Sequence, residues 1–262
     1  MPGILFDLDG VFYVGGSPIP GAAEALAWVR ERGIPHCFLT NTTSRPRSAL
    51  TEKLAGIGLD VDADDILTPP VAAARWIADN VKGGVALFVP DATRAEFAEL
   101  PVSDDPDAAV GAVIVGDLGE KWDFFVLNRA FRLLMHEPRP ALIALGMTRY
   151  WKAPDGLRLD TAPFVMALAH ATGVEPTVLG KPARTFFEIA LAMIECDAAN
   201  AVMVGDDIKG DIGGAQDAGI RGILVKTGKF QPADLDGRIQ PAAVLDSVAG
   251  LPDWWKQEYE GH

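Results

Sequence analysis

The sequence has little cysteine and no long hydrophobic run. Its 262 residues include two cysteines, Cys37 and Cys196, which excludes a disulfide scaffold and predicts reduced thiols. Its unbroken apolar stretches, such as Ala112–Val115 and Ala141–Leu145, fall far short of the roughly 18 residues that a membrane helix needs. The chain does not begin with basic residues, and Asp7 interrupts the first apolar run, which argues against a signal peptide. These absences predict a cytoplasmic protein.

Basic residues are also scarce, since 23 Lys and Arg stand against 36 Asp and Glu and give a formal net charge of −13. A chain this acidic repels polyanions, so neither nucleic acid nor an anionic membrane is expected as a partner. Hydrophobic residues make up 49% of the chain, enough for a packed core, which excludes global disorder. If the substrate is an anion, its site must therefore supply local cations.

Short apolar runs alternate with stretches of helical periodicity in the first and last parts of the chain. The apolar runs predict buried strands at Gly3–Phe6, Pro35–Leu39, Ala201–Val204 and Gly222–Val225. The helical pattern predicts helices at Gly21–Arg32, Arg47–Ile57, Thr185–Ile194 and Gly213–Ala218. This order predicts an α/β fold with a doubly wound, Rossmann-like parallel sheet.

The middle of the chain predicts a second, smaller α/β domain. Strands are expected at Val85–Val89, Ala112–Val115 and Ala141–Leu145, and helices at Ala92–Leu100 and Asp123–Met135, the latter burying Phe124, Leu127, Phe131 and Leu134. Thr68-Pro69-Pro70 and Val174-Glu175-Pro176 are expected to be linkers. We therefore predict an inserted domain at residues 71–174 within a core formed by residues 1–70 and 175–262.

A pair of acids follows the first predicted strand in Asp7-Leu8-Asp9-Gly10-Val11. Side chains alternate along a strand, so Asp7 and Asp9 are expected to point to one side at the carboxyl end, where α/β sheets bind ligands. Two such acids repel each other unless a cation lies between them. The pair therefore suits Mg²⁺ together with a carboxylate nucleophile, although calcium loops and ordinary turns share the pattern.

Three further motifs carry polar groups, and each alone also has an ordinary structural explanation. The motifs are Leu39-Thr40-Asn41-Thr42, Gly180-Lys181-Pro182 and the run 202–212 with Asp206, Asp207 and Asp211. The first suits an oxyanion or a helix N-cap, and the second a phosphate-binding or a surface lysine. The third suits a metal site or the acids that commonly stabilise a helix N-terminus.

Together, Asp7-Leu8-Asp9-Gly10, Thr40, Lys181 and Gly205-Asp206-Asp207 resemble the four motifs of the haloacid dehalogenase (HAD) superfamily, over nearly the whole chain. Residues 146–156, 180–182 and 205–219 are similar to the NagD-like subfamily IIA with a C2-type cap. Within it they look most like the branch of the phospholysine phosphohistidine inorganic pyrophosphate phosphatase and its HAD-domain paralogue. The resemblance implies a Mg²⁺-dependent phosphatase that hydrolyses a small phosphorylated metabolite through an aspartyl phosphate.

The resemblance also implies a role for each matching acid. Asp7 would be the nucleophile, and Asp9 would protonate the leaving oxygen and then activate water. Asp7, Asp206 and the main-chain carbonyl of Asp9 would hold the Mg²⁺ ion. Asp207 and Asp211 would not touch the substrate but would position the metal or Lys181.

The remaining motif residues would bind the phosphoryl group. By the same resemblance, Thr40, Asn41 and Thr42 would hold the phosphoryl oxygens. Lys181 would neutralise the negative charge of Asp7 and of the phosphoryl group. Such charge neutralisation is the main task in phosphoryl transfer.

The spacing of the motifs places the insertion. Asp9 and Thr40 are 31 residues apart, which leaves room for one helix and one strand, whereas Thr40 and Lys181 are 141 apart. An inserted domain therefore lies between the second and third motifs, where the resemblance implies an α/β cap that excludes water and mediates a homodimer. Within it, Arg149 and Tyr150 lie in a predicted hairpin with the turn Asp155-Gly156, and they are candidates for contacting the leaving group.

Other functions remain open at this point. Pyrophosphate or phosphoramidate hydrolysis would use the same nucleophile, and a silent binding protein would use only the fold. Dehalogenation is disfavoured, because an acid at Asp9 is what an ester or anhydride leaving group requires.

Overall fold

The computed structural model describes residues 2–260, which divide into two compact units. The first unit contains the chain up to Thr40, Arg47–Leu67 and the chain from Lys181 onward. The second contains Asn41–Pro46 and Thr68–Gly180. The predicted insertion at residues 71–174 lies within the second unit, and its role as a cap stays a prediction.

Strands and helices alternate through most of the chain. The strands are β1 (Gly3–Asp7), β2 (Tyr13–Val14), β3 (Ser17–Pro18), β4 (His36–Leu39), β5 (Ile66–Leu67), β6 (Gly84–Phe88), β7 (Val110–Val115), β8 (Ala141–Ala144), β9 (Tyr150–Ala153), β10 (Gly156–Leu159), β11 (Pro176–Val178), β12 (Ala201–Gly205), β13 (Arg221–Val225) and β14 (Ala243–Leu245). The α-helices are α1 (Ala22–Glu31), α2 (Arg47–Ala55), α3 (Pro69–Asn80), α4 (Phe124–Leu134), α5 (Thr161–Thr172), α6 (Arg184–Met193), α7 (Gly214–Asp217) and α8 (Leu251–Trp255). Among the described residues, every helix is too short or too polar to cross a bilayer.

The first unit is built on a six-stranded parallel sheet in the order β14-β13-β12-β1-β4-β5. The chain runs from β1 through β4 to β5 on one side and later fills β12, β13 and β14 on the other. The order thus reverses beside β1, and a ligand is expected in the crevice at such a reversal. The predicted doubly wound α/β fold is confirmed.

The core of the first unit is aromatic at its centre. Phe6 on β1 and Phe38 on β4 stack with ring centroids 5.8 Å apart, and Phe12 meets Phe6 edge to face at 5.2 Å. All three side chains are fully buried. Strands of a parallel sheet are covered on both faces, which explains why these strands read as continuous apolar runs.

The second unit has its own parallel sheet, in the order β11-β8-β7-β6, and a separate hairpin formed by β9 and β10. Helices α4 and α5 pack against each other and against this sheet. The hairpin is confirmed, but its turn is Pro154-Asp155, because Gly156 already pairs with Ala153. The predicted smaller α/β domain is therefore present.

Helix α4 packs its predicted face against the core except in its first turn, where Phe124 is exposed. Its buried residues are Ala130, Leu133 and Leu134, whereas Phe124 is 73% exposed and Leu127 and Phe131 are half-buried. The helix starts at its N-cap Asp123, whose carboxylate accepts the N–H of Val126 at 2.8 Å. Apolar residues on α4 cover a wider arc than the sheet can bury, so periodicity alone overestimated the burial of its first turn.

Each predicted linker leads into a regular element, while Val174 and Glu175 lie between α5 and β11. Thr68 caps α3 by accepting the N–H of Val71, and Pro69 and Pro70 occupy the first turn, where proline costs no hydrogen bond. Pro176 opens β11, an edge strand, where its missing N–H is tolerated.

One further predicted helix has a different form, and another is confirmed. The segment predicted at Ala92–Leu100 is a narrower 3₁₀ turn at Asp91–Phe97, and it begins directly after Pro90. The helix predicted at Gly213–Ala218 is confirmed as the short helix α7, and a wide π turn at Ile208–Gly213 precedes it.

Candidate active site

Three neighbouring strands of the first sheet end in buried polar residues. Asp7 is the last residue of β1, Thr40 follows β4, and Asp206 follows β12. Asp7 and Thr40 are each 7% exposed, and Asp206 is 1% exposed. Because β4 and β12 flank β1, these three groups lie at one edge of the sheet, as the strand-end argument predicts.

Lys181 reaches the same place by another route. It follows β11, a strand of the second sheet, and precedes α6 in the first unit. Its Nζ lies 2.5 Å from Oδ1 of Asp7 and 2.7 Å from Oδ1 of Asp211. Its side chain is almost fully buried, so the ammonium bridges two acids out of contact with bulk water.

Asp211 holds the backbone of this site in place. Its Oδ2 accepts the N–H groups of Asp206 at 3.2 Å and Asp207 at 3.1 Å. A Cβ on Gly205 would lie only 2.3 Å from Cβ of Asp211, so the absence of a side chain at Gly205 permits this close approach. Asp211 thus has both oxygens engaged, one by Lys181 and one by the main chain.

Asp206 has one oxygen bound and one without a partner. Its Oδ2 accepts the N–H of Lys229 at 2.6 Å. Its Oδ1 is buried and has no hydrogen-bond partner among the described residues. A buried carboxylate oxygen is costly to leave unpaired, which points to a ligand that the protein chain itself does not supply.

The acids of this site fit a hard divalent cation. Carboxylate oxygens of Asp7, Asp206 and Asp211 lie within 4.8 Å of one another. Oxygen donors of this kind suit Mg²⁺, which needs few protein ligands because it keeps several waters. The unpartnered Oδ1 of Asp206 is the atom best placed for such an ion, since both oxygens of Asp211 are already engaged.

Burial and mutual repulsion shape the charges of these acids. Burial, together with the nearby charges of Asp211 and Asp206, raises the pKa of Asp7 to about 7 despite the opposing effect of Lys181. Burial likewise raises the pKa of Asp206 to about 6. Burial alone would lower the pKa of Lys181, but the negative charges of Asp211 and Asp7 outweigh the effect of burial, so the pKa is raised. The lysine therefore stays protonated while the acids around it compete for protons.

Two predicted acids lie apart from this group. Asp9 comes after the end of β1 and is exposed, and its carboxylate does not join the acids that lie close together. Asp207 caps the wide turn instead: its Oδ1 accepts the N–H groups of Lys209 and Gly210, and its Oδ2 pairs with Lys229 at 3.3 Å. Burial opposes ionisation of Asp207, but the N–H of Gly210 and the charge of Lys229 lower its pKa below the usual value.

The other predicted binding residues belong to the second unit. Asn41 and Thr42 follow Thr40 along the chain but group with the second unit. Arg149 and Tyr150 lie at the start of the β9–β10 hairpin, both exposed, with the guanidinium of Arg149 5.8 Å from the ring centroid of Tyr150. Asp7, Thr40, Lys181, Asp206 and Asp211 therefore all belong to the first unit. Asn41, Thr42, Arg149 and Tyr150 belong to the second unit.

Sequence reasoning missed the loop after β13, Thr227-Gly228-Lys229. The N–H of Lys229 binds Asp206, and the hydroxyl of Thr227 donates to the carbonyl oxygen of Gly10. One signal was available, because this loop follows a core strand that neighbours β12 and contains a hydroxyl, a glycine and a cation.

Two family models match the chain on either side of its middle. A model described as haloacid dehalogenase-like hydrolase matches residues 4–102, and a second, described as HAD-hydrolase-like, matches residues 178–251. The two matches contain the strands that end in Asp7, Thr40 and Asp206, and they also contain Lys181.

Two curated relatives match along most of their length. The bovine (Bos taurus) haloacid dehalogenase-like hydrolase domain-containing protein 2 is 41% identical over 242 residues, covering 92% of this chain and 90% of the relative. The human (Homo sapiens) phospholysine phosphohistidine inorganic pyrophosphate phosphatase is 37% identical over 238 residues, covering 88% and 85%.

Solved structures share the fold over almost the whole chain. The p-nitrophenyl phosphatase from Archaeoglobus fulgidus has a TM-score of 0.85 and 29% identity, covering 97% of this chain and 98% of that one. NagD from E. coli K-12 has a TM-score of 0.84 and 24% identity, covering 95% and 97%, and this second likeness concerns the fold alone.

The metal-free protein should lose thermal stability as the pH rises from about 5 to about 8. The pKa values of Asp7 and Asp206 in the folded state, about 7 and about 6, lie above the ordinary 3.8. Between these limits the folded state binds more protons than the unfolded state, so the free energy of unfolding falls as the pH rises. Lys181 is protonated in both states throughout and adds no slope. Calorimetric Tm values in EDTA across this range measure the effect.

Two variants separate this effect from general pH sensitivity. Asp206→Asn removes one titrating group and should flatten the decline in Tm. Asp246→Asn, which removes an exposed ion pair with Lys226 at 2.8 Å, should leave the decline in place. A wild-type Tm that stays level or rises over this range contradicts the assignment.

Proposed function

The chain belongs to the haloacid dehalogenase-like hydrolase family, and from that premise we propose that it is a Mg²⁺-dependent phosphatase that hydrolyses a small phosphorylated metabolite through an aspartyl phosphate. The resemblance to this family inferred from the four motifs is confirmed. One observation carries the proposal: Lys181 bridges Asp7 and Asp211 beside a buried oxygen of Asp206 that has no hydrogen-bond partner among residues 2–260.

In the proposed first step, a carboxylate oxygen of Asp7 attacks the phosphorus atom, and the bond from phosphorus to the leaving oxygen breaks. Asp9 donates a proton to that oxygen, which departs as an alcohol. The exposed position of Asp9 supports this role, because it can exchange protons with solvent while Asp7 stays buried. The phosphoryl group is then covalently bound to Asp7.

In the second step, Asp9 accepts a proton from water as the water oxygen attacks the phosphorus atom. The bond from phosphorus to Asp7 breaks, and inorganic phosphate leaves. The ammonium of Lys181, 2.5 Å from Asp7, stabilises the carboxylate that is released. The hydroxyl of Thr40 and the groups of Asn41 and Thr42, which follow it directly, are the proposed ligands of the phosphoryl oxygens.

The metal would be held by Asp7, Asp206 and the main-chain carbonyl of Asp9. The unpartnered Oδ1 of Asp206 supports this assignment. When bound, the ion would neutralise negative charge on the phosphoryl oxygens. It would also favour the ionised form of Asp7, whose raised pKa of about 7 otherwise leaves part of the nucleophile protonated.

The charge of the chain is consistent with this division of labour. A protein with a net charge of −13 repels a phosphate ester unless local cations attract it, and Lys181 together with a divalent ion would supply them. Neither cysteine forms a disulfide, which supports the proposed cytoplasmic location.

We propose residues 71–174 as the cap and the β9–β10 hairpin as its specificity element. Arg149 would bind an anionic group on the metabolite, and Tyr150 would stack on a ring. Their exposure supports a recognition role over a packing role. Pyrophosphate and phosphoramidates are the alternative substrates, because a relative 37% identical to this chain is named for them, so a substrate panel should include both.

The cap is also the proposed homodimer surface. Phe124 and Phe125 on α4 are 73% and 80% exposed, which is unusual for adjacent aromatic residues on a monomer. Beside them lies an apolar groove of about 170 Å³, lined in part by Leu127, Phe131 and Ala167. In a two-fold dimer the same surface of each copy must fit the other. Here the exposed rings of Phe124 and Phe125 could insert into the apolar groove of the second copy.

Asp7→Asn should abolish hydrolysis of p-nitrophenyl phosphate in Mg²⁺, because the amide cannot form the aspartyl phosphate. It should leave the protein folded, and it should raise the Tm of the metal-free protein because one of three crowded acids is removed. Asp64→Asn, which loses only an exposed pair with Arg47, should keep wild-type turnover. Repeated turnover by verified Asp7→Asn protein would refute the mechanism, and equal wild-type rates in Mg²⁺ and in EDTA would refute the metal requirement.

Arg149→Ala should lower kcat/KM for the best natural substrate at least ~10-fold, about 1.4 kcal/mol of transition-state binding. Turnover of p-nitrophenyl phosphate should stay within about 3-fold, because this small ester depends mainly on the phosphoryl site. Tyr150→Ala should behave similarly. The control is Arg158→Ala in the same hairpin, whose guanidinium pairs with Asp155 at 2.6 Å, and both substrates should respond equally to it. If Arg149→Ala lowers kcat/KM equally for both substrates, Arg149 stabilises the structure and does not recognise the substrate.

Light scattering at micromolar concentration should give twice the mass of one chain. The double change Phe124→Asp with Phe125→Asp should give the mass of one chain, because charges on this face cannot be buried against a second copy. Leu235→Asp, an exposed apolar site of the first unit, should remain dimeric. A monomeric wild-type protein would refute the dimer and leave the catalytic proposal intact.

A further inference from the structure

The loop Thr227-Gly228-Lys229 joins two parts of the candidate site. The hydroxyl of Thr227 donates to the carbonyl oxygen of Gly10, in the segment after β1. Two residues later, the N–H of Lys229 donates to Oδ2 of Asp206 at 2.6 Å, in the segment after β12. One short loop after β13 therefore contacts the segments that directly follow β1, which ends in Asp7, and β12, which precedes Asp206.

The same loop packs closely against the carboxylate of Asp206, and this close approach is possible because glycine has no side chain. A Cβ on Gly228 would lie 2.0 Å from Oδ2 of Asp206 and 2.6 Å from Cα of Gly10. A Cβ on Gly10 would also lie 2.0 Å from Oδ2 of Asp206. Since both glycines approach the same oxygen, any side chain at either position would displace the carboxylate.

We propose that Thr227, Gly228 and Lys229 form a positioning loop that orients Asp206 for a divalent cation and thereby determines the affinity for that cation. The inference depends on the proposed function, because it assumes that Mg²⁺ binds at Asp206. With Oδ2 held by the N–H of Lys229, the carboxylate cannot rotate without losing a short hydrogen bond, and Oδ1 stays available. Residues that orient a metal ligand typically change metal affinity 10–100-fold when altered.

The main chain of Lys229, and not its ammonium, orients Asp206. The side chain of Lys229 is 70% exposed and pairs with Asp207 at 3.3 Å, outside the group of close acids. Lys229→Ala keeps the N–H and should therefore bind Mg²⁺ with an affinity within about 3-fold of wild type. This difference separates orientation by the loop from simple attraction or repulsion by a nearby charge.

Two matched pairs of variants test the loop by calorimetric titration of Mg²⁺ into metal-free protein without substrate. Thr227→Val keeps the side-chain shape but loses the hydroxyl, and it should weaken Mg²⁺ binding at least ~10-fold, while Thr227→Ser should restore it. Gly228→Ala should weaken binding by at least as much. Its control is Gly33→Ala, which has a similar φ of +60° against +65° but no atom within 4 Å of the added Cβ. The control should lose thermal stability from backbone strain and keep its Mg²⁺ affinity.

Each outcome separates the two proposals. If the wild-type protein does not bind Mg²⁺, the proposed metal site is wrong. If it binds Mg²⁺ and Thr227→Val binds equally well, the positioning loop is refuted and the metal site stands. A loss of Tm in Gly228→Ala that matches Gly33→Ala, with unchanged Mg²⁺ affinity, would likewise make the loop merely structural. At saturating Mg²⁺, kcat of Thr227→Val should recover most of the wild-type value, whereas a loss of kcat that Mg²⁺ does not restore would contradict the inference.

Discussion

The ammonium of Lys181 lies between the carboxylates of Asp7 and Asp211, and the site is organised around this buried bridge. A buried charge needs a partner, and here a single cation serves two acids while a third, Asp206, lies within reach. Three carboxylates against one ammonium leave the group short of positive charge. The raised pKa values of Asp7 and Asp206 express this shortage, and a divalent cation would relieve it. The proposed affinity of the site for metal and for phosphate would thus arise from one electrostatic imbalance.

The fold brings these groups together through the order of its sheet. β1 lies between β4 and β12, so the ends of three strands deliver Asp7, Thr40 and Asp206 to one edge. Asp211 then fixes the main chain of Asp206 and Asp207, so the wide π turn at Ile208–Gly213 positions acids as well as connecting elements. The glycines at positions 10, 205 and 228 keep the space around these acids clear of side chains.

Much of this arrangement could be predicted because it is local in the sequence. An apolar run followed by an acid predicts a buried strand and also places the acid at its carboxyl end, as Asp7 is at β1 and Asp206 just after β12. The geometry of Lys181 could not be predicted in this way, since its position depends on where the second unit ends. Asp207 and Asp211 share a spacing that predicts one face of a helix, yet the wide turn directs Asp211 to Lys181 and leaves Asp207 as a cap. The role of Lys229 was not visible because its backbone N–H, common to nearly every residue type, makes the decisive contact.

The pairing of β1 with β12 has a consequence for the order in which the chain can fold during synthesis. Asp7 and Lys181 are separated by 174 positions, and β1 does not have both neighbours until the ribosome has passed β12. The second unit, by contrast, is almost contiguous between Thr68 and Gly180, so all its strands are available before β12 emerges. Domains generally fold as units as they are synthesised. The nascent chain therefore holds its first strand, with Asp7 at its end, incompletely paired while the inserted unit is made, and this interval is when the apolar β1 is most in need of protection from aggregation.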